Sequence, residues 1–178
     1  MTVALGVIFS TFLKKFRPVN TIDPLDMKYG FDWKLFKFSV LITAPAIILH
    51  EFGHKFVALG FGLEATFHAA YLWLGFGLIL ALMNTGILFF VPAYVSIGAG
   101  AKVAPGVFSI IAFAGPFMNL ILWLGSWYLL KKNKIDKKYI HIVHITKQIN
   151  MFLFIFNMLP IPGFDGFKVY QGLIQTIF

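Results

Sequence analysis

The chain has 178 residues, 59% of them apolar and only 12% charged, with a mean hydropathy of +0.82; soluble domains carry about 25% charged residues, so this composition describes a chain built for lipid. Its net charge of +8 does not indicate nucleic acid, because the lysines and arginines sit in short clusters beside apolar runs, where their partner is a membrane lipid surface. The absence of cysteine excludes disulfides, thiolate metal sites and a cysteine nucleophile.

Residues 1–13 are apolar but too short to span a bilayer. They lack a basic leader and a small-residue cleavage site, so they read as a re-entrant or interfacial segment and not as a signal peptide. Lys14, Lys15 and Arg17 follow, then a loop rich in Pro and Asp, then Trp33, Lys34 and Lys37 in the manner of an interfacial belt. The first full span is expected over 38–61, with Pro45 placed to kink it. Inside this span lies His50-Glu51-Phe52-Gly53-His54. On a helix, residues four apart share a face, so both imidazoles reach one ion, and the intervening Glu is placed to act as general base on a zinc-activated water. Ionisable groups within a span cost roughly 2.5–3.5 kcal/mol each on insertion scales; a buried metal is a reason for three of them in so short a stretch.

A second apolar run, 69–91, follows a polar break and carries Gly75, Gly77 and Gly86. Residues 92–97 then alternate in polarity ahead of several glycines. They read either as a short β element, which in lipid must be buried or line a wet cavity, or as an interfacial loop. The third run, 107–130, contains Gly115-Pro116-Phe117-Met118-Asn119. Its Asn119 amide needs a partner, either a neighbouring helix or a substrate. Five lysines mark the loop 131–138, and a fourth run spans 139–159. His141 and His144 near its start read as polar interfacial residues, since no Glu stands between them and no third ligand is apparent. Asn157-Met158-Leu159-Pro160-Ile161-Pro162-Gly163-Phe164-Asp165-Gly166 breaks that helix, and an apolar tail follows. Asp165 is either the N-cap of the tail or a ligand, and its apolar setting favours the ligand.

The fold expected is an all-α polytopic membrane protein: a bundle of about four full spans with short or re-entrant segments and a short β element near 92–97, forming one transmembrane domain over 1–178. Three spans then separate the basic clusters at 14–37 and 131–138, which puts the clusters on opposite sides unless one segment is re-entrant. A catalytic zinc needs a third protein ligand and an open position. Of the remaining acidic residues, Asp165 alone combines an apolar setting with a broken helix. Zinc with neutral His50 and His54, ionised Asp165 and ionised Glu51 sums to no net charge, which lowers the cost of burial.

HEFGH, GPFMN and NMLPIPGFDG, in this order and spacing, resemble the HExxH, GPxxN and NxxPxPxxDG motifs of the site-2 protease family, the intramembrane zinc metalloproteases. The resemblance covers roughly 38–178. It implies His50, His54 and Asp165 as ligands of one Zn²⁺, Glu51 as catalytic base, and Asn119 and Asn157 as substrate-binding positions. Phe164 stands where Leu is commoner before the Asp-Gly pair. The activity implied is hydrolysis of peptide bonds in transmembrane protein substrates by a multi-pass protein of the cell membrane. The alternative is a non-proteolytic membrane protein, a transporter or pseudoenzyme, holding a structural metal.

Overall fold

The computed structural model describes residues 4, 6–8, 10–11, 33–83, 93–98, 103–133 and 135–178. The basic loop after residue 13, the end of the second apolar run and the glycine-rich stretch at 99–102 lie outside them. The described residues run α1 (Trp33–Gly60), β1 (Ala65–Ala69), α2 (Tyr71–Leu82), β2 (Ala93–Ile97), α3 (Pro105–Lys131), a 3₁₀ turn (Lys137–Tyr139), α4 (Ile140–Asn157) and α5 (Asp165–Ile177). Two of these helices, over Phe36–Gly60 and Pro105–Lys131, are long and apolar enough to cross a membrane.

Of the four expected full spans, two meet that criterion among the described residues. The fourth apolar run becomes α4, whose 18 residues include His141, His144, Lys147, Gln148 and Asn150, and these polar groups lower its apolar character. The second run forms a helix of 12 residues, α2, and its remainder from residue 84 is not described.

The chain divides into two compact units. The first comprises Met1–Ala44 and Ala69–Pro92. Its described part holds helical residues near the N-terminus, the first half of α1, and α2. Gly6 lies directly against Phe36 and Val40, and Ile8, Ser39, Ile42, Thr43 and Leu74 are buried. The Thr43 hydroxyl donates to the Ser39 carbonyl, so a polar side chain in an apolar helix is satisfied by its own backbone.

The second unit comprises Pro45–His68 and Ala93–Phe178. Here α1 ends in a double cap. Gly62 N–H donates to Leu59 O at 2.9 Å and Leu63 N–H to Ala58 O at 3.0 Å, with Gly62 at φ +72°. This is a Schellman motif, and a left-handed residue there costs least as glycine. The reversal delivers the chain into β1, which pairs with β2 in a two-stranded sheet. Gly98 N–H donates to Glu64 O at 2.9 Å, and the His68 ring stacks on Tyr94. These pairings run in opposite directions along the two strands, so the sheet is antiparallel.

α3 begins with Pro105 in its first turn, where a missing N–H costs nothing and the fixed φ suits the helix. Its buried residues Ser109, Ala112, Pro116, Asn119 and Ser126 recur at helical spacing and are mostly small. α4 and α5 both pack on α3. The Ser109 hydroxyl donates to Val169 O at 2.8 Å, tying α5 to α3. Pro160, Pro162 and Gly163 (φ +101°) form the break between α4 and α5. A Cβ at Gly166 would stand 2.5 Å from the Met158 carbonyl oxygen, so the chain can fold back over the start of α5 only because a glycine follows Asp165.

Candidate metal centre

His50, Glu51 and His54 are buried on α1. At 1.5 Å per residue, the two histidines stand about 15 and 9 Å along the axis from Gly60, inside the apolar segment. Asp165 opens α5. Phe164, not Asp165, is the capping residue, and no side chain caps this helix. The Asp165 carboxylate is turned to the histidines: Oδ2 lies 3.1 Å from His50 Nε2 and 3.3 Å from His54 Nε2. The two Nε2 atoms are themselves 3.1 Å apart. Of the two sequence readings of Asp165, the N-cap is set aside.

The protons decide what this triangle can do. His50 Nδ1 is 2.6 Å from Asn119 Oδ1, and His54 Nδ1 is 2.7 Å from the Ile111 carbonyl oxygen. Both oxygens only accept, so each Nδ1 carries the proton. In the neutral rings both Nε2 atoms then present lone pairs to each other and to a carboxylate oxygen. Three acceptors converge with no donor among them, which is an unfavourable arrangement unless a cation fills the space. A tetrahedral ion with bonds of about 2.0–2.2 Å holds its ligand atoms about 3.3–3.6 Å apart, close to the edges observed. Glu51 Oε2 is buried without a hydrogen-bond partner. A carboxylate oxygen in that condition suits a metal site with a water to hold. The donor set therefore fits one divalent ion.

The packing around the triangle explains residues that the motifs only flagged. A Cβ on Gly115 would strike the His54 ring and stand 2.7 Å from His50 Nε2, so no other residue lets α3 pass so close to the imidazoles. Gly53 plays a similar part on α1, where a Cβ would meet the Ala114 carbonyl oxygen and Met118. Asp165 Oδ1 faces the Lys168 ammonium at 3.8 Å.

Asn119, whose amide the sequence left to either a neighbouring helix or a substrate, is fully buried with 0% exposure. Besides meeting His50, its Nδ2 donates to Ala46 O at 3.2 Å and to Asn150 Oδ1 at 3.0 Å. Asn157 ends α4, half-buried, with its Nδ2 donating to Leu153 O at 2.9 Å. His141 and His144 are exposed at the start of α4 and join no group of three prospective ligands among the described residues. Sequence reasoning passed over Asn150, Lys168 and the Ile111 carbonyl. Asn150 was detectable as a primary amide in an apolar run, and Lys168 by its helical spacing from Asp165. A backbone carbonyl leaves no trace in residue type.

Two helices long and apolar enough to cross a membrane, one of them carrying a buried HExxH with the Asp165 carboxylate brought close to it, match the pattern of a membrane zinc metalloprotease. The family profile described as "Peptidase family M50" matches residues 127–178. Curated relatives carry the name "Putative zinc metalloprotease". MJ0611 of Methanocaldococcus jannaschii is 36% identical over 142 residues, covering 80% of this chain and 73% of its own length. YwhC of Bacillus subtilis is 27% identical, covering 79% and 70%. The Synechocystis protein sll0528 is 25% identical over 83% of this chain but only 34% of its own length. No solved structure matches the chain. The chain belongs to peptidase family M50, the site-2 protease family, whose cofactor is zinc and whose members are membrane proteins.

Proposed function

We propose that this protein is an intramembrane-cleaving zinc metalloendopeptidase whose substrate is a transmembrane segment of another protein. The observation that carries the reading is the convergence of His50 Nε2 and His54 Nε2, on a helix able to cross the bilayer, with Asp165 Oδ2 from α5, beside the unpartnered Glu51 Oε2. His50, His54 and Asp165 would hold the ion. When bound, zinc supplies Lewis acidity toward water and toward the scissile carbonyl. Glu51 takes the proton of the attacking water at its free carboxylate oxygen and later delivers it to the leaving amine, which is general acid–base work. Asp165 adds the charge that, with Glu51, balances a divalent ion. Lys168 faces the far oxygen of Asp165, leaving the other oxygen to the histidines.

The substrate must unwind first, because a helical peptide bond is shielded and already hydrogen-bonded. The β1–β2 sheet supports this step, since a strand can offer backbone groups to an extended peptide. Asn157, at the break between α4 and α5, is the remaining amide placed for contact with a freed backbone. The protein is multi-pass, in the cell membrane. The test is cleavage of a transmembrane peptide by purified protein in proteoliposomes. Glu51→Gln is expected to lower the rate by about 10²–10⁴-fold while one zinc per chain is retained. Undiminished cleavage by that variant refutes the mechanism.

A further inference from the structure

We propose that Asn150 is a positioning residue for His50: through Asn119 it sets the imidazole tautomer that leaves Nε2 open to the metal. The inference rests on the reading of His50 as a zinc ligand. Asn150 lies on α4, is 0% exposed, and its hydrogen bonds go to Asn119 and Thr146 and to neither histidine. A primary amide so placed costs free energy unless its hydrogen bonds are made, and both of its ends are engaged. Its Nδ2 donates to Thr146 O at 2.8 Å, and its Oδ1 accepts from Asn119 Nδ2 at 3.0 Å.

The chain of bonds has a fixed direction. The Thr146 carbonyl only accepts, so Asn150 must turn its Nδ2 toward it and its Oδ1 toward Asn119. Asn119 then spends both N–H groups, one on Asn150 and one on Ala46 O. Its Oδ1 is left to face His50 Nδ1. A neutral imidazole has one ring proton, and this acceptor places it on Nδ1. A reversed Asn119 amide would present N–H to Nδ1, move the ring proton to Nε2, and aim it at the ion's position. The two histidines differ here. His54 is oriented by the Ile111 backbone carbonyl, which cannot turn over. His50 is oriented by a side-chain amide, which can. With Asn150 removed, only Ala46 O would resist the reversal.

The experiment measures zinc affinity by competition with a chromogenic chelator, thermal unfolding of the metal-free protein, and the ¹⁵N shifts of the His50 ring without metal. Asn150→Leu fills the space but cannot accept a hydrogen bond. It is expected to weaken zinc binding about tenfold, the lower end of the 10–100-fold cost of losing an outer-shell partner, and to mix the His50 tautomers. Asn150→Asp, neutral when buried, donates its O–H to Thr146 and still accepts from Asn119. It is expected to keep both the affinity and the Nδ1–H signature. Unchanged affinity in Asn150→Leu overturns the proposal, as does equal weakening in Asn150→Asp. If Asn150→Leu does not fold, loss of the Nδ1–H signature in Asn150→Asp overturns it and retention supports it. His50→Ala separates the two readings. If it keeps zinc, the ligand assignment falls and this proposal with it. If it loses zinc while Asn150→Leu binds normally, only the relay fails.

Discussion

His50 and His54 stand four residues apart on α1; His141 and His144 stand three apart at the start of α4. Either spacing brings two imidazoles onto one helix face. On α1 that face is buried against α3, where an Asn119 oxygen and the Ile111 carbonyl hold the Nδ1 protons and Asp165 approaches from α5. On α4 the face is exposed and, among the described residues, no carboxylate completes a set of three. Spacing brings two rings together. What makes the α1 pair competent toward a cation is the acceptor behind each ring and the third donor in front.

The comparison breaks most directly through the ligands. His54→Ala and Asp165→Asn are each expected to take bound zinc from one ion per chain toward none by metal analysis, with loss of peptide cleavage. Full zinc occupancy in either variant would remove that residue from the ligand set. A smaller effect is expected where packing, not ligation, is disturbed. Gly115→Ala puts a methyl group into the His50 and His54 rings, and overpacking of this kind costs about 1–3 kcal/mol. Thermal unfolding should show the loss, together with weaker zinc binding. Unaltered stability and affinity would mean the rings have room to retreat. The smallest effect belongs to α4: His141→Gln combined with His144→Gln should leave zinc content and cleavage unchanged. A drop in bound zinc would erase the distinction between the pairs.

Much of the site was legible in the residues because its parts are local. HEFGH on a helix places two imidazoles and a carboxylate together whatever surrounds them, and the paired prolines ahead of Asp165 announce a broken helix. The architecture was less legible. Apolarity marks a run that avoids water, but the polar groups of α4, from His141 to Asn150, make it less apolar than α1 and α3. Asn119 shows the limit most clearly. An amide within an apolar run must be bonded, and the residue type does not say to what. Its partners come from α1 and α4, remote in sequence, and they turn it toward His50.

The sequence by itself determined the apolar character of the chain and the shared face of His50 and His54, because composition and helical periodicity are properties of neighbouring residues; Asp165 was pointed to by its apolar setting and by the motif resemblance. Only the tertiary structure decided which histidine nitrogens carry protons, why residue 115 must be glycine, and that Asn150 stands behind Asn119. Each of these depends on atoms brought within hydrogen-bond or van der Waals range by the packing of α1, α3, α4 and α5, and such distances are set by the fold and not by order along the chain.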